Sequence, residues 1–99
     1  MPQVSLPAAN LPATVAAGDR VIAVFKDGER YYAIDDACPH SGAPLSKGLL
    51  YEGDIICPRH SYRFSLETGQ CRIPKTLRVR TYPVRRDGET LVIEVPSAF

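Results

Sequence analysis

The stretch that decides the fold of this chain runs from residue 37 to residue 69 and has the sequence ACPHSGAPLSKGLLYEGDIICPRHSYRFSLETG. It contains both histidines and two of the three cysteines, arranged as the pairs Cys38–His40 and Cys57–His60, with sixteen residues between the pairs. Proline, serine and glycine surround the first pair, and proline and serine lie beside the second. These residues favour the turns that a backbone needs in order to curl around a metal. Chance pairing of two buried cysteines with two structural histidines is the alternative, but the clustering favours four metal ligands.

Two kinds of metal centre use two cysteines and two histidines. A structural zinc ion takes them tetrahedrally, but common zinc sites join a Cys-x-x-Cys pair to a His-x-x-x-His pair on a helix. Here each loop supplies one cysteine and one histidine, and no helix is predicted around the histidines. Mixed pairing is typical of a [2Fe–2S] cluster in which one iron takes two thiolates and the other takes two imidazoles. The sequence favours the cluster, and a zinc-stabilised binding module without a redox role is the remote alternative.

Runs of β-forming residues lie on both sides of the ligand stretch, two before it and two after it. An Asp-Gly dipeptide separates the two runs on each side, at Asp27-Gly28 and at Asp87-Gly88. Asp-Gly between two such runs is a strong signal for a β-hairpin. The runs cover residues 20–25, 30–34, 81–85 and 91–95.

Helix signals are nearly absent. Only residues 13–17 could be argued to be helical, and they form a short segment directly after Pro12. The predicted class is therefore all-β. Since there are no repeats and no linker, residues 1–99 are predicted to form a single domain. The outer hairpins form its framework, and residues 37–74 form an inserted lobe that carries the ligands.

The bulk composition excludes several classes of protein. Net charge is +1, which leaves no general electrostatic footprint for nucleic acid or an anionic membrane. No apolar run approaches the roughly 20 residues that span a bilayer, and residues 1–18 lack the features of a signal peptide. Three cysteines, an odd number, argue against a secreted disulfide framework. We expect a cytoplasmic protein with no membrane or nucleic-acid partner.

The segment from residue 37 to residue 69 resembles the cluster-binding region of Rieske-type ferredoxins, and the flanking hairpins extend the resemblance over nearly the whole chain. The resemblance implies that Cys38 and Cys57 bind one iron of a [2Fe–2S] cluster, one cluster per chain, and that His40 and His60 bind the other iron. It also implies an antiparallel β framework of stacked small sheets with the two ligand loops at one tip.

Departures from the family pattern bear on the reduction potential. High-potential Rieske proteins join their two loops by a disulfide, but the matching positions here are Ala43 and Arg59. Phe64 occupies the position of a tyrosine whose hydroxyl donates to the cluster, and Ser61 follows the second histidine where glycine is usual. Because fewer donors stabilise the reduced cluster less, we expect a potential toward the low end of the roughly −150 to +300 mV Rieske range.

Four further residues have more than one interpretation. Cys71 has no histidine or cysteine neighbour, so a buried small hydrophobic role is more plausible than a fifth ligand. Lys47, Arg59 and Arg63 could form a basic rim around the cluster for an acidic partner, or they could be ordinary solvated charges.

The resemblance implies a soluble one-electron carrier that catalyses no reaction alone. The first hypothesis is a ferredoxin, monomeric when free, that passes electrons from a flavoprotein reductase to a terminal oxygenase. The alternative is the similar small subunit of an assimilatory NAD(P)H nitrite reductase, because residues 77–85 look closer to that subgroup. The sequence names the cofactor better than it names the partner.

Overall fold

The computed structural model describes residues 3–59 and 61–96. Within them the chain forms ten short strands and one 3-10 helix, and there is no α-helix. In this part of the chain, no helix is long and apolar enough to cross a membrane. The strands are β1 Gln3–Pro7, β2 Ala13–Ala17, β3 Arg20–Asp27, β4 Arg30–Asp35, β5 Leu49–Tyr51, β6 Asp54–Ile56, β7 Arg63–Ser65, β8 Thr81–Tyr82, β9 Val84–Asp87 and β10 Thr90–Glu94, and the 3-10 helix is Leu45–Lys47.

The strands form three small antiparallel sheets, which confirms the all-β prediction. The first has the order β1-β10-β9, the second β2-β3-β4-β8, and the third β5-β6-β7. The first two sheets are the framework. The third lies in the segment between β4 and β8, residues 36–80, which we call the lobe; it extends beyond the predicted boundary at residue 74.

Strand β3 joins the framework to the lobe because both of its faces are buried. Successive side chains of a strand point to opposite faces of the sheet. Ile22 and Val24 pack into the framework core with Leu91 and Ile93, whereas Ala23 and Phe25 pack into the lobe core. The lobe core contains Cys38 and Cys57. The four-stranded sheet is therefore a middle layer, and its lobe-facing side supports both of these cysteines.

Both predicted hairpins are present, but their turns are shifted by one residue from the Asp-Gly dipeptides. Asp27 pairs with Arg30 as the last residue of β3, so the turn itself is Gly28-Glu29. Gly28 has φ +64°, a conformation that glycine adopts without a steric penalty. Asp87 pairs with Thr90 in the same way. The glycine was the informative residue of each dipeptide, because it starts the turn.

Two elements differ from the sequence-based expectation. The segment that could be argued to be helical, Ala13–Ala17, is strand β2 and pairs with β3, since tertiary pairing overrides a weak local preference in so short a segment. The predicted strand at 81–85 is divided by Pro83 into β8 and β9, which belong to different sheets. Proline lacks the N–H that a continuous strand would need at this point.

A buried carboxylate ties the lobe together. The Asp54 side chain on β6 is only 2% exposed, and its oxygens accept hydrogen bonds from Arg72 at 2.6 and 3.0 Å. A third short contact, 3.0 Å, joins Asp54 to the guanidinium of Arg63 on β7. The hydrogen bond from Arg72 lowers the pKa of Asp54, and burial of the carboxylate opposes this shift only in part. Asp54 thereby holds the segment after Cys71 against the lobe sheet.

We expect Asp54→Asn to lower the free energy of unfolding by about 2 kcal/mol at pH 7, because it removes the negative partner of two guanidinium groups. A carboxylate with a lowered folded pKa stabilises fully above its unfolded pKa of about 3.9, and this stabilisation is lost as the pH falls through the folded value. The difference between wild type and variant should therefore shrink below about pH 4.

Urea denaturation at pH 7 and at acidic pH measures both effects. The control is Glu52→Gln, because Glu52 is an exposed carboxylate in the neighbouring turn and its replacement should change the free energy by about 0.5 kcal/mol or less. Equal effects of the two substitutions at pH 7 would contradict the structural role of Asp54.

Candidate metal centre

The first candidate ligand loop is closed by two backbone hydrogen bonds around Cys38. The Cys38 N–H donates to the carbonyl of Ala43 at 2.9 Å, and the Gly42 N–H donates to the carbonyl of Cys38 at 2.7 Å. Gly42 has φ +76°, the left-handed conformation that turns the chain back toward the cysteine.

The second loop repeats this geometry at the same offsets. The Cys57 N–H donates to the carbonyl of Tyr62 at 2.8 Å, and the Ser61 N–H donates to the carbonyl of Cys57 at 3.1 Å. Ser61 has φ +62° and so occupies the place that Gly42 has in the first loop. In both loops a proline follows the cysteine. The two loops therefore share one backbone hydrogen-bond pattern, and a cysteine is the first residue of each.

The side chains at the two loops differ in exposure. Cys38 and Cys57 are 2% and 1% exposed, whereas the imidazole of His40 lies at the surface. His40 packs against the ring of Tyr62, with ring centroids 4.3 Å apart and an angle of 45° between the planes. The Ser41 hydroxyl lies 3.8 Å from the sulfur of Cys57. Residues of the first loop thus contact the second loop twice.

The fourth predicted ligand, His60, lies outside the described residues. Among residues 3–59 and 61–96, no group of three or more His, Cys, Asp or Glu side chains is arranged to hold a metal ion, so the four-ligand set stays a prediction. The described donors fit a Rieske cluster in their chemistry: two buried thiols and an exposed imidazole come from two loops of matching shape. This mixed donor set is the one that such a cluster requires.

No cysteine stands at either position of the loop disulfide of high-potential Rieske proteins. The three cysteines of the chain are buried, and none is in a disulfide. Ala43 is 5% exposed and belongs to the lobe core, while Arg59 is exposed. Instead of a disulfide, noncovalent contacts from the side chains of His40 and Ser41 join the first loop to the second.

Replacing Ser61 with glycine should raise the free energy of unfolding by about 0.5 kcal/mol. A non-glycine residue pays roughly 1–2 kcal/mol in the left-handed region, and the greater freedom of glycine in the unfolded chain offsets part of the gain. The converse change, Gly42→Ala, meets no atom within 4 Å and should lower the free energy by about 1 kcal/mol. Equilibrium denaturation of both variants tests the assignment, and a destabilised Ser61→Gly protein would argue against it.

The other residues singled out by sequence have definite places. Phe64 on β7 is fully buried and, having no hydroxyl, cannot donate a hydrogen bond. Cys71 is 1% exposed, as expected for a small hydrophobic residue, and its thiol also lies 3.4 Å from the carbonyl of Ile73. Arg63 is bonded to Asp54 rather than simply solvated; Lys47 and Arg59 are exposed.

Sequence reasoning missed the roles of three residues near the loops. Tyrosines in β-rich segments more often serve sheet packing, yet the ring of Tyr62 contacts His40. Its position five residues after Cys57, equivalent to Ala43 in the first loop, was an available signal. Asp54 and Arg72 were not singled out, because nothing local marks a partnership across eighteen residues of sequence.

Comparisons with known proteins agree with this geometry. The family model described as the Rieske [2Fe-2S] domain matches residues 1–83. The 3-phenylpropionate/cinnamic acid dioxygenase ferredoxin subunit of Shigella boydii serotype 4 (strain Sb227) is 40% identical over 80 residues, 79% of this chain and 76% of the relative.

Solved structures extend the agreement to three dimensions. A chain in the complex of reduced oxygenase and oxidized ferredoxin in carbazole 1,9a-dioxygenase superposes with a TM-score of 0.79 at 28% identity, over 89% of this chain and 96% of that one. A small subunit of NADPH nitrite reductase superposes with a TM-score of 0.83 at 24% identity, over 96% and 100% of the two chains; this likeness concerns the fold alone.

The family match favours an iron–sulfur cluster over zinc. A match over residues 1–83 includes both candidate loops and most of the framework, and the dioxygenase ferredoxin subunit is similar over most of its own length. The chain therefore belongs to the Rieske [2Fe–2S] domain family, as an electron-carrying ferredoxin with one such cluster.

Proposed function

We propose that this ferredoxin delivers single electrons to an oxygenase from a cluster held by Cys38 and Cys57 on one iron and by His40 and His60 on the other. The observation that carries the ligand assignment is the matching geometry of the two loops, each with a cysteine at its base and a histidine two or three residues later. The similarity to a dioxygenase ferredoxin subunit supports the choice of acceptor.

The protein's own residues separate the buried and exposed sides of the centre. With both thiols in the lobe core, the sulfur ligands are shielded from water, and the exposed His40 imidazole offers the short route to a docked partner. Tyr62 orients that imidazole through its ring contact. When bound, a cluster with two thiolates and two neutral imidazoles has no net charge in its oxidised state, so it accepts an electron more readily than a four-thiolate cluster does.

The remaining parts of the proposal concern the cellular setting. The donor is a flavoprotein reductase, and the free protein is a monomer in the cytoplasm. The odd number of cysteines argues against a secreted disulfide framework. A small subunit of nitrite reductase is the alternative, supported by the resemblance of residues 77–85 to that subgroup and by likeness of fold.

Spectroscopy and reconstitution test the proposal. The purified protein should contain iron and sulfide, be brown, and give a rhombic electron-spin resonance signal on reduction. Reduced protein should lose its electron rapidly to the oxygenase component of the 3-phenylpropionate/cinnamic acid dioxygenase, and should stay reduced in anaerobic buffer without that component. A colourless zinc protein would refute the cofactor assignment, and co-purification with a sirohaem protein would favour the nitrite-reductase alternative.

The reduction potential should lie toward the low end of the roughly −150 to +300 mV Rieske range. The reason is the absence of the hydroxyl donor at Phe64, which is fully buried on β7. Protein-film voltammetry measures the potential directly. Phe64→Tyr is the matched variant, because it adds only a hydroxyl and should raise the potential; reversible oxidation of the wild-type protein near the high end would overturn this expectation.

A further inference from the structure

Charge is divided unequally between the lobe and the framework. The lobe, residues 36–80, contains seven Lys and Arg residues against four Asp and Glu residues, a formal net charge of +3. The rest of the chain contains five against seven, a net charge of −2. The total of +1 conceals this division. The candidate metal centre therefore lies in the positive part of a dipolar molecule.

Some of the acidic residues of the lobe are already engaged within the protein. Asp54 is buried between two guanidinium groups. Glu67 lies 3.9 Å from Arg30 of the framework, and Asp36 accepts a hydrogen bond from the Ser46 N–H. Asp54 offsets one of the two charges of Arg63 and Arg72, and the exposed Glu52 remains, so the formal net charge of the lobe is still +3. Its cations are Lys47, Arg59, Arg63, Arg72, Lys75, Arg78 and Arg80.

Several of these cations lie beside the second candidate ligand loop. Arg59 is within the loop and is exposed. Arg63 follows the loop directly as the first residue of β7, and the Arg72 N–H donates to the Arg63 carbonyl at 2.8 Å. The segment that begins at Arg72 continues to the exposed Lys75. A backbone hydrogen bond therefore places positively charged side chains next to the candidate metal centre.

Apolar groups lie among these cations. Ile73, directly after Arg72, is 80% exposed, and Tyr51 is 50% exposed. The Arg63 guanidinium lies over the Tyr51 ring, 5.4 Å from its centroid. Arginine and tyrosine are enriched in protein–protein interfaces, so this mixture suits a protein surface.

We propose that the lobe is a docking surface for an electron-accepting protein that presents a carboxylate-rich face. The positive lobe and negative framework orient the ferredoxin, so that the exposed His40 approaches the acidic face first. This inference rests on the proposed function, because it assigns the chemistry of the partner at the same site. It assigns Lys47, Arg59 and Arg63 to a basic rim, which is one of the two interpretations that the sequence left open.

Charged inorganic oxidants can test the electrostatic field around the lobe before the partner protein is identified. Reduced holoprotein is mixed in a stopped-flow instrument with ferricyanide, a trianion, or with hexaamminecobalt(III), a trication. Between about 0.01 and 0.2 M ionic strength, the rate with ferricyanide should fall by about threefold or more, and the rate with hexaamminecobalt(III) should rise.

A pair of charge-reversal variants locates the effect. Arg59→Glu with Lys75→Glu changes the formal charge of the lobe from +3 to −1 and should abolish or reverse the salt dependence with ferricyanide. The control, Lys26→Glu with Arg85→Glu, makes the same change in total charge on the framework, where both residues are exposed, and should leave most of the dependence in place. If the first variant assembles no cluster, Lys75→Glu with Arg78→Glu provides the same measurement farther from the ligands.

The outcomes separate this inference from the proposed function. The docking inference would be wrong if ionic strength changed the rates with both oxidants in the same direction. It would also be wrong if the framework variant reduced the salt dependence as much as the lobe variant does. Neither result would contradict the proposed role as an electron carrier. A wild-type protein without the Rieske resonance signal would refute the proposed function, and the docking inference would fall with it.

Discussion

Cys57→Ser is expected to abolish normal assembly of the [2Fe–2S] cluster, with iron content falling to roughly a tenth of wild type or less. Loss of a neighbouring hydrogen bond to a ligand already costs 10–100-fold in metal affinity, and loss of a thiolate should cost more. Cys38→Ser should have the same effect, because Cys38 occupies the equivalent place in the first loop. Iron and sulfide analysis, visible absorption and electron-spin resonance measure the result.

Cys71→Ser is the matched control. Cys71 is as deeply buried as Cys57, at 1% exposure for each side chain, but it is not a predicted ligand. The serine hydroxyl can still donate to the Ile73 carbonyl that the thiol contacts. This variant should therefore keep its cluster at a small cost in stability. A normal cluster in Cys57→Ser, or equal loss in all three variants, would refute the ligand assignment.

Metal binding is coupled to folding, so cluster loss should also loosen the lobe. We expect faster amide hydrogen exchange in residues 36–80 of Cys57→Ser than in the same residues of Cys71→Ser. The framework sheets have their own core around Ile22 and Leu91 and should change less.

Gly69→Ala is expected to lower the free energy of unfolding by about 3 kcal/mol or more. Gly69 has φ +80°, and an added Cβ would lie 2.1 Å from the carbonyl oxygen of Val79. That backbone cannot easily retreat, because the Val79 N–H donates to the Gly69 carbonyl at 2.8 Å. The substitution therefore adds a backbone clash to the ordinary penalty of a positive φ.

Gly88→Ala isolates the conformational part of this effect. Gly88 has φ +65°, but an added Cβ there meets nothing within 4 Å. Its replacement should cost only about 1 kcal/mol. Urea denaturation of the two variants gives the difference, and equal losses would show that the approach of Val79 to Gly69 is not a constraint on folding.

Local chemistry explains why much of the framework could be predicted. Glycine between two β-forming runs starts a tight turn without a steric penalty, so both hairpins follow from a few consecutive residues. The same reasoning failed for residues 13–17, where a short alanine-containing segment has little preference of its own and its pairing with β3 decides its structure. It also failed at Pro83, where the single strand predicted for residues 81–85 is divided into two strands that belong to different sheets.

The candidate metal centre, too, was predictable from the sequence in some respects and not in others. Residue types and spacing alone indicated two Cys–His pairs and favoured a two-iron cluster, because ligand chemistry depends on which atoms are present. The absence of a loop disulfide was implied by the resemblance to Rieske-type proteins. The sequence could not show that Tyr62 packs on His40 or that Ser41 reaches Cys57. Those contacts depend on how one loop is placed against the other.

By itself, then, the sequence determined the all-β class and the hairpins and predicted the ligand set, since each depends on neighbouring residues. Only the tertiary structure decided that β3 is buried on both faces, that Asp54 holds Arg72 from across the lobe, and that Arg72 lies beside Arg63. The physical reason is that these features arise from contacts between residues far apart in the chain, and such contacts exist only once the sheets have packed.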